Sequence, residues 1–257
     1  MSAALELTNV DAGYGQFMAL RNVSIRVEPG EAVALVGANG VGKTTVARVA
    51  SGLVRPTAGR VAANGRDLTG RAPHAFVRAG IAHAPEGRSV FATLTVEENL
   101  RLSFRRHFGA RGVERALTSA FERFPVLAGR REVLAGQLSG GQQRMLSIAR
   151  VVVESPAVLI ADELSLGLAP IVVTEIADQL RRLREAGTAL LIVEQQLGHA
   201  LALADRAVLL ERGSVAWEGP SAEAGDHVIA RTFVPSRNGG TDASVRSDGD
   251  AGGSTRD

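Results

Sequence analysis

The feature that most constrains this 257-residue chain is a junction close to its start. Ala32–Val36 is an unbroken apolar run of five residues, the pattern of a strand covered on both faces. It leads directly into Gly37-Ala-Asn-Gly40-Val-Gly42-Lys43-Thr44, which fits G-x-x-x-x-G-K-T, and a helical segment follows from about Lys43 to Ser51. A buried strand that feeds a glycine turn and then a helix commits the chain to a layered α/β architecture. The same junction implies phosphate chemistry. Glycines allow consecutive N–H groups to turn inward around phosphate oxygens, and the first helical turn adds its partial positive charge. Lys43 is placed to reach the β- and γ-phosphates of a nucleotide, and the Thr44 hydroxyl to ligate Mg²⁺. Gly37, Asn39, Gly40, Gly42, Lys43, Thr44 and Thr45 are therefore the candidate nucleotide-binding residues of this segment.

Composition singles out the lysine. Of 29 basic side chains, 28 are arginine, and the remaining one is Lys43. A compact ammonium fits between two phosphates, whereas a broad guanidinium fork does not. The sequence pI of about 9.8 suggests nucleic-acid binding, but with one Tyr, one Lys and no Cys almost nothing titrates between the histidines and the arginines. The formal charge of +2 is close to neutral, and no nucleic-acid partner is expected. Without cysteine, no disulfide is possible. The longest stretch free of Asp, Glu, Lys and Arg is eleven residues, well short of the roughly 20 that a spanning helix needs. The first basic residue is Arg21, so a signal peptide's basic start is lacking and a cytoplasmic chain is expected.

Patterning extends the α/β reading. Leu5, Leu7 and Val10 roughly alternate with polar residues, Asp11–Gln16 reads as a turn-rich stretch, and Val23, Ile25 and Val27 alternate strictly with Ser24, Arg26 and Glu28. An N-terminal antiparallel β region follows, with a hairpin at Asn64-Gly65. Short strands are expected at Ile81–Ala84, Ala157–Ala161 and Ala189–Val193, a helix over Pro170–Glu185, and a closing hairpin from Val208–Leu210 and Val215–Trp217. Thr95-Val-Glu-Glu98 is a capping box. It opens a mostly helical stretch, about 95–154, that reads as a subdomain inserted into a mostly parallel sheet. Ser236–Asp257, with five Gly, four Ser and four Asp in 22 residues, reads as a disordered tail.

Two further motifs carry chemistry. Val158-Leu-Ile-Ala-Asp162-Glu163 is an apolar strand ending in two acids. Beside a phosphate loop, Asp162 is the candidate Mg²⁺ carboxylate and Glu163 the general base toward the attacking water. Leu138-Ser139-Gly140-Gly141-Gln142-Gln143 places Ser139 23 residues before Asp162. Ser139-x-x-Gln142 is also a capping box, opening an apolar helix through Met145, Ile148 and Val152. It is a second helix N-terminus suited to a γ-phosphate.

In this order, phosphate loop, LSGGQ and Asp-Glu strand, the sequence resembles the ATP-binding cassette (ABC) ATPases over about residues 5–225. The resemblance implies a P-loop NTPase fold within 1–235. It also implies ATP and Mg²⁺ as ligands, ATP hydrolysis, and a head-to-tail dimer in which Ser139, Gly140, Gly141 and Gln142 of one copy meet the ATP held by the other. It places Tyr14 against adenine, Glu86 at the glutamine position of the Q-loop in reach of nucleotide and metal, and Gln195 at the switch-histidine position. There Gln195 would sense the γ-phosphate through its amide without becoming charged. Leu164 stands where most members have proline, and Ala169 where many have the D-loop aspartate. Pro85-Glu86-Gly87-Arg88, Leu94–Leu100, Ser165–Pro170 and Val193-Glu-Gln195 together look like the ATPase of branched-chain amino acid importers. That likeness implies integral-membrane permeases, a second ATPase subunit, and an extracytoplasmic substrate-binding protein acting indirectly. It also implies a peripheral position on the cytoplasmic face of the membrane. Urea and amide importers have similar ATPases and form the alternative. A soluble non-transport ABC protein fits less well, because the chain has one phosphate loop, one signature and no sustained heptads.

Overall fold

A computed structural model of the chain describes residues 2–87 and 89–225. The expected tail, 236–257, and Arg88 lie outside the described residues. The chain opens with β1 (Leu5–Tyr14) and β2 (Phe17–Val27), followed by β3 (Ala32–Val36), α1 (Lys43–Ala50), β4 (Ala58–Ala63) and β5 (Arg66–Asp67). Next come α2 (Pro73–Arg78), β6 (Ile81–Ala84), α3 (Val96–Arg123), α4 (Pro125–Ala128), α5 (Gly140–Val152) and β7 (Val158–Asp162). The described part closes with α6 (Pro170–Glu185), β8 (Ala189–Val193), α7 (Leu197–Leu201), β9 (Arg206–Glu211) and β10 (Ser214–Pro220).

Two sheets form. The smaller is antiparallel in the order β2-β1-β4-β5, and the larger runs β10-β9-β3-β8-β7-β6. In the larger sheet every pairing is parallel except that of β10 with β9. Both faces of this sheet are covered, which is why β3, β7 and β8 are apolar at every residue before Asp162 and buried along their whole length. Alternate side chains nevertheless enter different cores. Val33, Leu35, Ile160, Leu191 and Val193 pack with the smaller sheet and with Val46 and Val49 of α1. Leu159, Ala161, Leu190 and Ile192 pack under the helical layer, against Phe104, Leu146, Ile148 and Leu180.

The helical stretch forms as its caps dictate. Glu98 N donates to Thr95 Oγ1 at 3.1 Å and Thr95 N to Glu98 Oε2 at 2.8 Å. Within α3 the helix breaks at Gly109, whose φ of 67° and ψ of 178° are not helical.

One expectation is corrected. Of Asp11–Gln16 only Gly15 and Gln16 turn, because β1 continues to Tyr14 and pairs Gly13 with Met18 and Tyr14 with Phe17. The strand survives its turn-forming residues through register shifts after Leu7, Val10 and Ala12. Asp11 is held within the strand by Asn22 N, which donates to its Oδ1 at 2.7 Å, and by Thr57 N, which donates to its carbonyl at 2.8 Å.

Register fixes where the candidate residues meet. Val193 lies beside both Leu35 and Asp162, and Ala84 beside Ala161. The carboxyl ends of β3, β8, β7 and β6 therefore form one edge, the position at which open α/β sheets hold their ligands.

Candidate active site

The phosphate loop joins β3 to α1. Gly42 is the N-cap of α1 with φ 110° and no side chain closes the cap. Any other residue there would be strained, since a Cβ would sit 2.8 Å from Ala19 O and 2.8 Å from Leu20 Cδ2. The first N–H groups of α1 have no intrahelical acceptor, so they are oriented for a ligand. Lys43 is buried, and its Nζ donates to Gly37 O at 2.9 Å and Ala38 O at 3.0 Å. Burial pushes the ammonium's pKa down, while Glu163, Asp162 and Glu194 push it back up.

Around this loop lies a cleft of about 430 Å³. The β1–β2 hairpin contributes Tyr14 and Phe17, the loop contributes Asn39, Gly40, Gly42, Lys43, Thr44 and Thr45, and the strand ends contribute Glu86, Glu163 and Gln195. Tyr14 and Phe17 face each other across the hairpin, 45% and 67% exposed, and make an aromatic ledge at the rim. Arg48 Nη1 donates to the Tyr14 hydroxyl at 3.2 Å. Phe17 escaped the sequence reading, and its place opposite Tyr14 follows only from the extended β1. A cavity of about 240 Å³ between α6 and α7 is more apolar. It has no glycine loop to receive phosphates.

The acids sit opposite Lys43. Asp162 ends β7 and is 1% exposed. Burial first, then Glu163 and Glu86, raises its pKa to about 6, against the pull of Arg48 and Arg144. Glu163 takes a left-handed backbone, φ 47°, with its N–H donating to Val193 O at 2.8 Å. Burial and then Glu86 raise its pKa, and Lys43 lowers it. His83 Nε2 lies 4.0 Å from Asp162 Oδ2. Burial and Arg48 hold His83 down at about 4, so it is neutral near pH 7 and the contact is not an ion pair. Asp162 Oδ1 is buried with no hydrogen-bond partner among the described residues. No cluster of three or more His, Cys, Asp or Glu side chains suited to a metal occurs among the described residues. One unmatched carboxylate oxygen at the end of β7, with the Thr44 hydroxyl in the cleft, instead suits a small hard cation whose remaining ligands are phosphate and water. Glu86 acts on both acids through its charge but stands on an exposed loop.

The signature residues lie elsewhere. Ser139 caps α5 by the expected box, with Gln142 N donating to Ser139 Oγ at 3.3 Å and Ser139 N to Gln142 Oε1 at 3.1 Å. None of Ser139, Gly140, Gly141 and Gln142 lines the cleft.

Two polar tethers were invisible in the sequence. Glu194, a buried carboxylate, accepts from Ser165 N at 3.0 Å and Ser165 Oγ at 2.9 Å. It thereby joins the segment after Glu163 to the end of β8. Arg144, buried on α5, donates from Nη1 to Pro85 O at 2.7 Å and to Gly87 O, and from Nη2 to Asp162 O and Glu163 O, both at 2.9 Å. The available signal was a single cation inside a helical run, 143–149, that is otherwise uncharged.

A family profile described as ABC transporter matches residues 20–165. The chain is 41% identical over 212 residues to a high-affinity branched-chain amino acid transport ATP-binding protein of Pseudomonas aeruginosa, covering 82% of this chain and 90% of that protein. It is 35% identical to a probable branched-chain amino acid transport ATP-binding protein of Archaeoglobus fulgidus, covering 87% of this chain and 94% of that one. Among solved structures, an ATP-binding subunit of an ABC transporter superposes with a TM-score of 0.78 at 29% identity, over 90% of this chain and 93% of that one. No helix among the described residues is long and apolar enough to cross a membrane.

Proposed function

The chain belongs to the ABC transporter family as an ATP-binding, ATP-hydrolysing subunit, and from that membership we propose that it drives a branched-chain amino acid importer. Subunits of this family work with membrane permease components. The named relatives in Pseudomonas aeruginosa and Archaeoglobus fulgidus support the substrate class. The same proposal takes residues 1–235 as the ATPase unit, with 95–154 as its helical subdomain. It places the chain on the cytoplasmic face of the membrane beside a sister ATPase, with an extracytoplasmic binding protein delivering the amino acid and no nucleic acid involved.

The observation that carries the mechanism is the convergence of Lys43, Glu86, Glu163 and Gln195 on one cleft while the signature helix stays outside it. The loop N–H groups of Gly40–Thr45 and the Lys43 ammonium hold the phosphates. Tyr14 supports the adenine. Thr44 and Asp162 would hold Mg²⁺, which supplies neutralisation of the phosphate charge when bound. Glu163 orients the attacking water and accepts its proton. Burial keeps Glu163 above an ordinary carboxylate and so a stronger base. Gln195 donates its amide N–H to the γ-phosphate, and Glu86 sets the charge around the metal carboxylate. Because no signature residue reaches its own cleft, Ser139, Gly140, Gly141 and Gln142 act on the nucleotide of the opposing subunit. Gly37 contributes by accepting from Lys43.

In the full chain, Glu163→Gln should lower phosphate release about 10²–10⁴-fold while ATP binding is retained. Unchanged release defeats the assignment of the base. Deletion of the chain should abolish uptake of labelled leucine and spare that of urea, and the reverse pattern would move the substrate to the urea and amide importers.

A further inference from the structure

Arg144 stands in the second turn of α5, the helix that begins at the signature. Its side chain is buried, and all four of its bonds go to backbone carbonyls. Two of these carbonyls, Pro85 and Gly87, flank Glu86, and the other two are those of Asp162 and Glu163. The fork is matched to this task. Each Nη bridges two carbonyls on one strand end, Nη1 after β6 and Nη2 at β7. A lysine ammonium would carry its donors on a single atom and could not span both pairs. Main-chain oxygens offset the burial of the charge, and nearby acids add to that. The bond to Glu163 O has a further consequence. Glu163 holds a left-handed backbone, which persists only where the surroundings over-determine it. Val193 O fixes its N–H and Arg144 fixes its carbonyl.

We infer that Arg144 is a positioning residue that ties the backbones of Glu86 and of Asp162–Glu163 to the signature helix, so that a ligand met at the N-terminus of α5 sets the placement of all three acids. Contact with nucleotide at Ser139 and Gly141 and alignment of the hydrolytic groups are then one event, transmitted through four hydrogen bonds. The inference rests on the ATPase reading of the cleft.

The test compares full-length Arg144→Lys and Arg144→Met with Arg150→Lys, a control at the arginine of the same helix that donates to Ser89 O. Steady-state phosphate release should show kcat down roughly 10–100-fold in both Arg144 variants, as expected for misplaced groups. KM for ATP should stay within about twofold, because the phosphate loop is not attached to Arg144. Arg150→Lys should keep its kcat. Amide hydrogen exchange, which needs no turnover, should rise at 86–87 and 163–165 in the Arg144 variants, with α5 and the other strands unchanged. Full kcat in Arg144→Lys overturns the inference. So does exchange that rises evenly along α5 and β7, which marks packing alone. Absence of phosphate release from the unaltered chain would instead overturn the ATPase reading, and exchange would still report on the tether.

Discussion

Two helices in this molecule begin where a phosphate can be met, and they begin in opposite ways. At α1 the cap is Gly42 in a left-handed conformation with no side-chain acceptor, and the next residue is a buried lysine. At α5 the cap is Ser139 in an extended conformation, and the box with Gln142 satisfies two of the free donors from within the chain. The first arrangement leaves its donors for a ligand and concentrates charge around them. The second is complete as it stands, with the Ser139 hydroxyl proton and the first-turn glycine N–H groups still able to donate outward. On the proposed function, one terminus would hold a nucleotide and the other would remain stable at a surface until a nucleotide arrives.

The largest test of that difference is Lys43→Arg. It preserves the charge and replaces a point donor by a fork, and phosphate release should fall about 10²–10³-fold, the cost of removing one well-placed donor. Full activity would make the single lysine a compositional accident and erase the distinction at α1.

Next is the pH dependence beside α1. Asp162 is held above its ordinary value, at about 6. The folded chain thus binds this proton more tightly than the unfolded chain, and stability is lost as pH rises from about 4 through 6. The shift of about two units corresponds to an upper bound of about 3 kcal/mol. Asp162→Asn in the nucleotide-free chain should raise the unfolding midpoint more at pH 8 than at pH 5, while losing hydrolysis. An equal change at both pH values would remove the electrostatic account.

A pair of glycine substitutions sharpens the contrast further. Gly42→Ala drives a Cβ to 2.8 Å from a backbone oxygen at φ 110°. The strain is about 1–3 kcal/mol, and both thermal stability and nucleotide affinity should fall. Gly141→Ala comes nearest to Val172 Cγ2, at 3.3 Å, and a side-chain methyl can yield. Its unfolding midpoint should stay near that of the unaltered chain. Ser139→Ala removes the cap and should cost about 1 kcal/mol of stability. With no acid in the first turn of α5, that loss should be the same at pH 5 and pH 8. A pH-dependent loss would mean that the two termini share an electrostatic environment after all.

What was legible in the sequence shares one property, which is that its cause is local. A five-residue apolar run, a glycine loop and two capping boxes act within a few residues of themselves, and β3, α1, α3, α5, α6 and β8 formed accordingly. The α/β fold and the order of the motifs followed from them. The features that escaped depend on partners far along the chain. Arg144 meets residues 18 to 59 positions away, and Glu194 meets Ser165 across 29. The extension of β1 to Tyr14 rests on bulges and on a backbone bond from Thr57. No nearby pattern announces such bonds, because sheet order creates them.

The alternation of side chains along β7 gives the site a parity. Val158 and Ile160 face the core that contains α1, Leu159 and Ala161 face the helical layer, and Asp162 continues the even series toward the phosphate loop. The division of labour proposed for the two adjacent acids is therefore a matter of odd and even numbers. Deleting one residue ahead of Asp162 would leave the Asp-Glu pair, its charge and its strand intact on paper. It would turn the Asp162 carboxylate toward the helices and present that of Glu163 in its place.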